Sequence, residues 1–419
     1  MPVFFNVLPP AEARSLLLGQ FQPRIQAEII PTAQALDRVT AAPLTAPHPL
    51  PTFRRSAMDG YAVRAADTYG ASGSLPAFLR IVGEVLMGRP AAVTLDPGDA
   101  AIIHTGGQLP DTADAVVQVE NTQPVGPATS AGCSHDEEIE VVKAVAVGEN
   151  VIQVGEDVAT GEEILPAGHW LRPQDLGALL AMGIVEIPVA RKPRVALIST
   201  GDEVVPPGRE IGPGQVRDIN SYTIAAQTAR AGGEPLIYGI VPDDLAALQA
   251  AAARAMDEAD VLVFSAGSSV SVRDATSRVI AGLGEPGILF HGVAVRPGKP
   301  TIGAIVDGKP AFGLPGNPVS AMNLFDLLVI PTIYKLLGCV NPPQRPVVRA
   351  RVARNVPATP GREDRVAAKL VQRDGELWAE PVFGKSNLIY TLVRADGTFV
   401  IPLDAAGVTA GEWVEVRLF

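Results

Sequence analysis

Carboxylates, hydroxyls and cations recur in this sequence beside glycine and proline, the residues that let a backbone approach a ligand closely or hold a loop stiff. Four such stretches fall between residues 200 and 320. Thr200-Gly201-Asp202-Glu203 sets a hydroxyl and two carboxylates around a glycine. Hard oxygens so grouped suit Mg²⁺, a ligand amide or a hydroxyl. The run from Ser265 through Ala266, Gly267, Ser268, Ser269 and Ser271 to Asp274 is built of small residues. Its backbone N–H groups can approach an anion, and the carboxylate that closes it also fits a helix N-cap. Arg296-Pro297-Gly298-Lys299-Pro300 places two cations on a rigid turn, which suits phosphate but also describes many exposed basic turns. In Leu314-Pro315-Gly316-Asn317-Pro318-Val319-Ser320, two prolines stiffen a loop, and Pro318 stands where a first helical residue needs no N–H.

Three further motifs lie upstream. Ser56-Ala57-Met58-Asp59-Gly60-Tyr61-Ala62 puts a carboxylate directly before a glycine, His104-Thr105-Gly106-Gly107 ends a short apolar run, and Gly155-Glu156-Asp157 follows another. Each alone reads as readily as a turn closed by a side-chain hydrogen bond as it does a reactive group. They gain weight only if one fold brings them together.

The elements that must position these residues follow from pattern. Arg194 to Ser199 is a continuous apolar strand, as expected of a sheet buried on both faces. A helix from Asn220 to Gly232-Gly233, a strand Leu236–Val241, a helix Asp243–Glu258, a strand Asp260–Ser265 and a helix Asp274–Leu283 come next. Two short strands and a helix Pro318–Leu337 complete the run. Strands alternating with helices predict crossovers and a mostly parallel sheet, with ligands bound at the carboxyl ends of the strands. Residues 54–149 read as β-rich, with strands at Ala101–His104 and Asp114–Val119 and a polar loop at Ser130–Glu138. Flanking it, helices are expected at Pro10–Gln20, Pro31–Val39 and Pro173–Met182. The fold class is therefore multidomain α/β plus β. A helical bridging region (1–53 and 150–190) is interrupted by a β-rich insertion (54–149), then followed by a central parallel α/β domain (191–340) and a small C-terminal β-barrel (341–419).

Composition narrows the function. The 419 residues carry 34 basic and 45 acidic side chains, a net charge of −11, which argues against nucleic-acid binding. No apolar run reaches membrane-spanning length and no secretion signal is evident, so a cytoplasmic location off the membrane is expected. Two distant cysteines, Cys133 and Cys339, with no histidine at ligand spacing, predict neither a zinc site nor a disulfide. An acidic protein that binds a phosphate ester would need local relief from metal ions, helix N-termini or a few placed cations.

Taken in order and spacing, these motifs resemble the MoeA/gephyrin family of molybdopterin molybdenumtransferases. The resemblance rests on Ser56–Ala62, on Ile103–Gly106 with Leu109-Pro110, Ala113-Asp114 and Glu120, and on Gly155–Asp157. Ser199–Glu203, Pro297–Pro300, Leu314–Ser320 and the tail residues Gly361-Arg362, Arg365-Val366, Ser386 and Ala395-Asp396-Gly397 extend it. It implies a homodimer whose α/β domain binds adenylated molybdopterin, with the helical region bridging the dimer and the partner's second domain completing the cleft. Mg²⁺ and molybdate are the implied cofactor and metal source. The implied activity inserts molybdenum at the dithiolene and releases AMP. The implied catalytic residues are Asp59, Thr105, Asp157, Glu203, Asp243 and Asp274, with Glu203, Asp243 and Asp274 placing the metal. Thr200, Gly201, Asp202, Ser265, Gly267, Ser268, Arg296, Lys299, Pro315, Gly316, Asn317, Pro318 and Ser320 would bind the pterin.

The family pattern has glycine where this chain has Ala266 and Ser271, methionine at His104 and commonly lysine at Arg296. These departures bear on substrate detail, including molybdate versus tungstate. Two rival readings are a pterin adenylyltransferase, which shares the α/β domain but generally lacks the first, second and last regions, and a pterin-binding carrier or scaffold without turnover. An adenylyltransferase and the apoproteins of molybdoenzymes are expected partners.

Overall fold

A computed structural model describes residues 7–125, 137–266 and 270–419, the last from backbone alone at 270–274. The described chain divides into two compact units, one of residues 1–42, 167–177 and 185–419 and the other of residues 43–166 and 178–184.

The smaller unit is built on a six-stranded sheet. Its order is Ala115–Gln118, Gly60–Val63, Asp99–Ile103, Ala77–Val85, Glu138–Val141 and Thr122–Val125. Alternate residues of Gly60–Val63 pack on opposite faces, Tyr61 and Val63 into one buried cluster and Ala62 into another. Gly60 admits no side chain, because a Cβ there would meet the Val117 carbonyl oxygen at 2.0 Å. Two short ladders, Leu44–Thr45 with Glu163–Leu165 and Arg55–Ser56 with Val151–Ile152, tie the flanking chain to this unit. They carry its limits out to residues 43 and 166, beyond the expected 54–149. The expected Ser130–Glu138 loop falls mostly outside the described residues.

The larger unit holds a six-stranded α/β sheet in the order Glu234–Val241, Arg194–Thr200, Val261–Ala266, Lys309–Pro315, Ile302–Val306, Pro286–His291. The first four strands are parallel and the last two antiparallel. Val261–Ala266 is buried at every residue, which is why its sequence is uniformly apolar or small. The helices Asn220–Arg230, Leu245–Glu258 and Val270–Ala281 form the crossovers, and Asp244 caps the second by accepting from the Ala247 N–H at 2.8 Å.

The helical stretch that completes the α/β layer, Pro318–Leu336, is long and apolar enough to cross a membrane. However, 67% of its most apolar window is buried inside the protein. It is a core helix. Midway, residues Phe325–Val329 form a wider π turn, from which Asp326 accepts the Arg345 guanidinium at 2.6 Å and faces that of Arg365 at 4.0 Å.

The helix Pro10–Gly19 packs Ala13 and Leu17 against this layer. The helix expected over Pro31–Val39 is reduced to a single 3₁₀ turn, Thr32–Gln34, which follows a strand, Ala27–Pro31, paired antiparallel with Glu186–Ala190. Pro31 precedes the turn, which closes at Gln34; beyond it Asp37 adopts a positive φ of 59° and its carboxylate accepts from the Trp170 indole at 3.2 Å, so the chain does not continue as a helix. C-terminally, five strands (Glu363–Arg373, Glu376–Pro381, Val347–Val352, Trp413–Leu418 and Gly397–Ile401) close on themselves as a barrel around Phe399, Ile401 and Val416. A sixth, Val295–Arg296, joins it in parallel to Glu363-Asp364 and splices the barrel to the α/β layer.

Asp175, only 5% exposed, anchors the start of the helix Pro173–Ala181. Burial alone would raise its carboxyl. Hydrogen bonds from the Arg172 and His169 side chains and from the Arg172 N–H outweigh that and hold it down at about 2. An unfolded aspartate titrates near about 3.9. The pair therefore contributes its full stability above about pH 4 and loses it as pH falls toward the folded value. Asp175→Asn is expected to cost about 2 kcal/mol at neutral pH and to flatten the acid limb of stability below about pH 4. Denaturant midpoints measured across pH would show both effects.

Candidate functional site

The carboxyl edge of the α/β sheet gathers polar side chains from three strand ends. Thr200, fully buried at the end of Arg194–Thr200, donates its hydroxyl to Asp243 Oδ1, and the Asp243 N–H reaches Asp202 Oδ1 at 3.3 Å. Gly201 makes this packing possible. At its φ of 145°, a Cβ would lie 2.8 Å from Val204 and 2.9 Å from the Glu203 carboxylate. One strand over, the buried Asn220 donates both amide hydrogens, to Ser265 Oγ and to the Gly316 carbonyl, each at 2.8 Å. That links the first helix to the loop Leu314–Ser320.

Asn220, Ser221 and Asp218 escaped the sequence reading. The signal was present, a carboxylate and an amide two residues apart at a helix start, where Asp218 Oδ1 accepts the Ser221 N–H at 3.1 Å. Asn220 Oδ1 and Ser221 Oγ are buried without a hydrogen-bond partner among the described residues. Gly267 and Ser268 lie outside those residues, and Asp274 is placed only as a position in the helix Val270–Ala281.

Between this layer and the barrel lies a cleft of about 1210 Å³. Arg296, Lys299, Pro315, Asn317 and Ser320 form one wall, and Arg362, Arg365, Lys385 and Ser386 the other. Pro318 opens its helix at the first turn, and Asn317, just before it, donates to Ser386 Oγ at 2.9 Å, joining the walls. Among the described residues five cations line the cleft against one carboxylate, Asp364, in a protein whose net charge is −11. Such concentration of positive charge in a concave, low-dielectric wall is the mark of an anion site.

In the smaller unit, Asp59 Oδ1 accepts both the backbone N–H of Thr105, at 2.7 Å, and its hydroxyl, at 3.1 Å. The structure thus brings these two expected residues together. The Thr105 N–H, then its hydroxyl, hold the Asp59 carboxyl below the ordinary carboxylate value, and His104 adds a smaller pull in the same direction. His104 Nε2 in turn meets Glu84 Oε1 at 2.9 Å. Asp157 stands apart on an exposed turn, its N–H bonded to the Leu50 carbonyl at 3.0 Å. Thr105→Val is expected to raise the Asp59 carboxyl toward its ordinary value without releasing it, since the stronger backbone donor stays. An NMR titration of the carboxyl carbon reads this directly.

Family models match along the chain: the MoeA N-terminal region (domain I and II) over residues 8–183, a probable molybdopterin binding domain over 196–335, and the MoeA C-terminal region (domain IV) over 349–419. Molybdopterin molybdenumtransferase 2 of Mycobacterium tuberculosis is 34% identical over 393 residues, covering 92% of this chain and 94% of that protein. The chain belongs to the MoeA family of molybdopterin molybdenumtransferases. The molybdopterin molybdenumtransferase of Bacillus subtilis is 32% identical across 95% of this chain and 91% of its own. A crystal structure of the MoeA protein from Pyrococcus horikoshii OT3 superimposes with a TM-score of 0.84 at 30% identity, covering 99% of this chain and 100% of that one. In MoeA terms, the anion cleft joins the matched molybdopterin-binding region to the matched C-terminal region.

Proposed function

We propose that this protein inserts molybdenum from molybdate into the dithiolene of adenylated molybdopterin, with release of AMP, in an off-membrane, cytoplasmic setting. What supports this most is the cleft, where five cations meet the matched molybdopterin-binding region in an otherwise acidic protein. Full-length similarity to proteins named as the transferase supports turnover over a carrier role, and the matched C-terminal region supports it over an adenylyltransferase.

Mg²⁺ fits the strand-end edge. Among the described residues no three carboxylate, histidine or cysteine side chains converge as a closed metal site. Yet Asp202 and Asp243 meet through one backbone N–H, with Glu203 beside Gly201. One or two carboxylates completed by substrate phosphate is the usual Mg²⁺ arrangement. Asp243 and Glu203, with Asp274 of the helix Val270–Ala281, would hold it, and when bound it would neutralise the phosphoanhydride. Thr200 fixes the Asp243 carboxylate, Asn220 sets the loop at Gly316, and the cleft cations hold the anionic ends of the substrates. Asp59, Thr105 and Asp157 would be supplied by a second copy in a homodimer. The pterin would arrive from an adenylyltransferase, and the product would pass to apo-molybdoenzymes.

Turnover of adenylated molybdopterin with Mg²⁺ and molybdate tests the reading, following AMP and active cofactor together. Pterin binding with no AMP, with molybdate or tungstate, would leave the carrier reading standing instead. Mixing inactive Asp59→Ala with inactive Glu203→Ala protein should restore activity if a second copy completes the site; no recovery would place both residues in one chain's site.

A further inference from the structure

The single acid that lines the cleft among the described residues is the least explained of its side chains. Asp364 is 5% exposed, on the barrel strand Glu363–Arg373 to which the splicing strand Val295–Arg296 is joined, and is paired in register with Arg296. Its Oδ2 accepts Arg296 Nη1 at 3.3 Å and its Oδ1 accepts Arg362 Nε at 3.0 Å. The two guanidinium groups come from different segments and would repel one another without a carboxylate between them. Arg362 gives one further bond, from Nη2 to Thr359 Oγ1 at 3.4 Å, and among the described residues the other N–H groups of both forks have no partner and remain for a ligand. Arg365 is held differently, by Glu363 at 2.9 Å and Asp326.

We infer that Asp364 is a positioning residue that fixes Arg296 and Arg362 as one two-armed receptor for a tetrahedral oxyanion. The inference rests on the cleft being an anion site and goes beyond it by assigning a role to a group of the wrong charge. Two physical effects oppose each other here. A carboxylate beside the site repels an oxyanion, so removing its charge would tighten binding if Asp364 only contributed charge. Orienting two planar forks acts the other way, because an unanchored arginine must be ordered by the ligand itself. Asp364 is buried and engages both arginines, so orientation outweighs repulsion.

The test is calorimetric titration of the full chain with molybdate, and in parallel tungstate, in wild type and Asp364→Asn, with thermal unfolding recorded for each. The expected result is about tenfold weaker oxyanion binding in Asp364→Asn, the usual scale for losing a partner that orients a ligand-binding group. Binding as tight as wild type, or tighter, overturns the positioning role while the anion cleft stands. A wild type that binds neither oxyanion overturns both. If Asp364→Asn does not fold, Arg296→Gln, Arg362→Gln and the double variant decide. A single receptor loses as much from either change as from both, and additive losses overturn it.

Discussion

Gly298→Ala is expected to destabilise the protein by about 2–4 kcal/mol and to abolish most oxyanion binding. At its φ of 127°, a Cβ would fall 1.8 Å from Leu324 Cδ2, and Leu324 is wholly buried, so neither backbone nor neighbour can yield without cost. The Gly298 carbonyl also accepts the buried Thr301 hydroxyl at 2.7 Å, which ties the loop to the sheet. Because Arg296 and Lys299 flank this glycine, any shift moves two of the five cleft cations at once. Chemical denaturation reads the first effect and molybdate titration the second. An alanine variant with wild-type stability would show that the loop relaxes freely.

The second large effect is expected at Asp243. Asn at this position keeps an oxygen to accept the Thr200 hydroxyl, so the fold should hold, but the charge that would attract Mg²⁺ is gone. Metal neutralisation of a phosphoanhydride supplies several kcal/mol of transition-state stabilisation. At about 1.4 kcal/mol per factor of ten, turnover should fall by a hundredfold or more. Excess Mg²⁺ should recover part of that loss. Unchanged AMP release in Asp243→Asn would remove this residue from the metal site. A loss without any change in Mg²⁺ dependence would assign it to substrate orientation alone.

Much of the fold was readable because burial on both faces leaves a plain trace. Residues 195–200 and Val261–Ala266 are apolar or small throughout, and the helices between them are entered at Asn220 and at the cap Asp244 and end at Arg230 and Glu258. The strand Ala27–Pro31 was not readable, since its partner lies more than 150 residues away and Pro31-Thr32 carries the local signal of a helix start. In the site, Thr200 and Asp202 could be suspected from strand-end position alone, and Asp243 only through the family resemblance. Asp59 and Thr105 could be suspected only as isolated turns until the sheet pairing of Gly60 with Ile103 placed them side by side. Asn220 was passed over because an amide at a helix start looks like an ordinary cap. Its actual partners, Ser265 and Gly316, are set by tertiary packing. Asp364 was hidden for a similar reason, since nothing near it in sequence announces that it pairs with Arg296.

The π turn at Phe325–Val329 has a consequence for how this chain can vary in length. A wide turn holds one residue more than a straight helix over the same path. Deleting a single residue there would draw the wide turn into an ordinary one over the same path and leave Ile330 and Ile333 facing the core, whereas a deletion in the straight turns on either side would rotate everything beyond it by about 100°. The helix that closes the α/β layer can therefore lose one residue at its centre and keep its register, while its straight turns cannot.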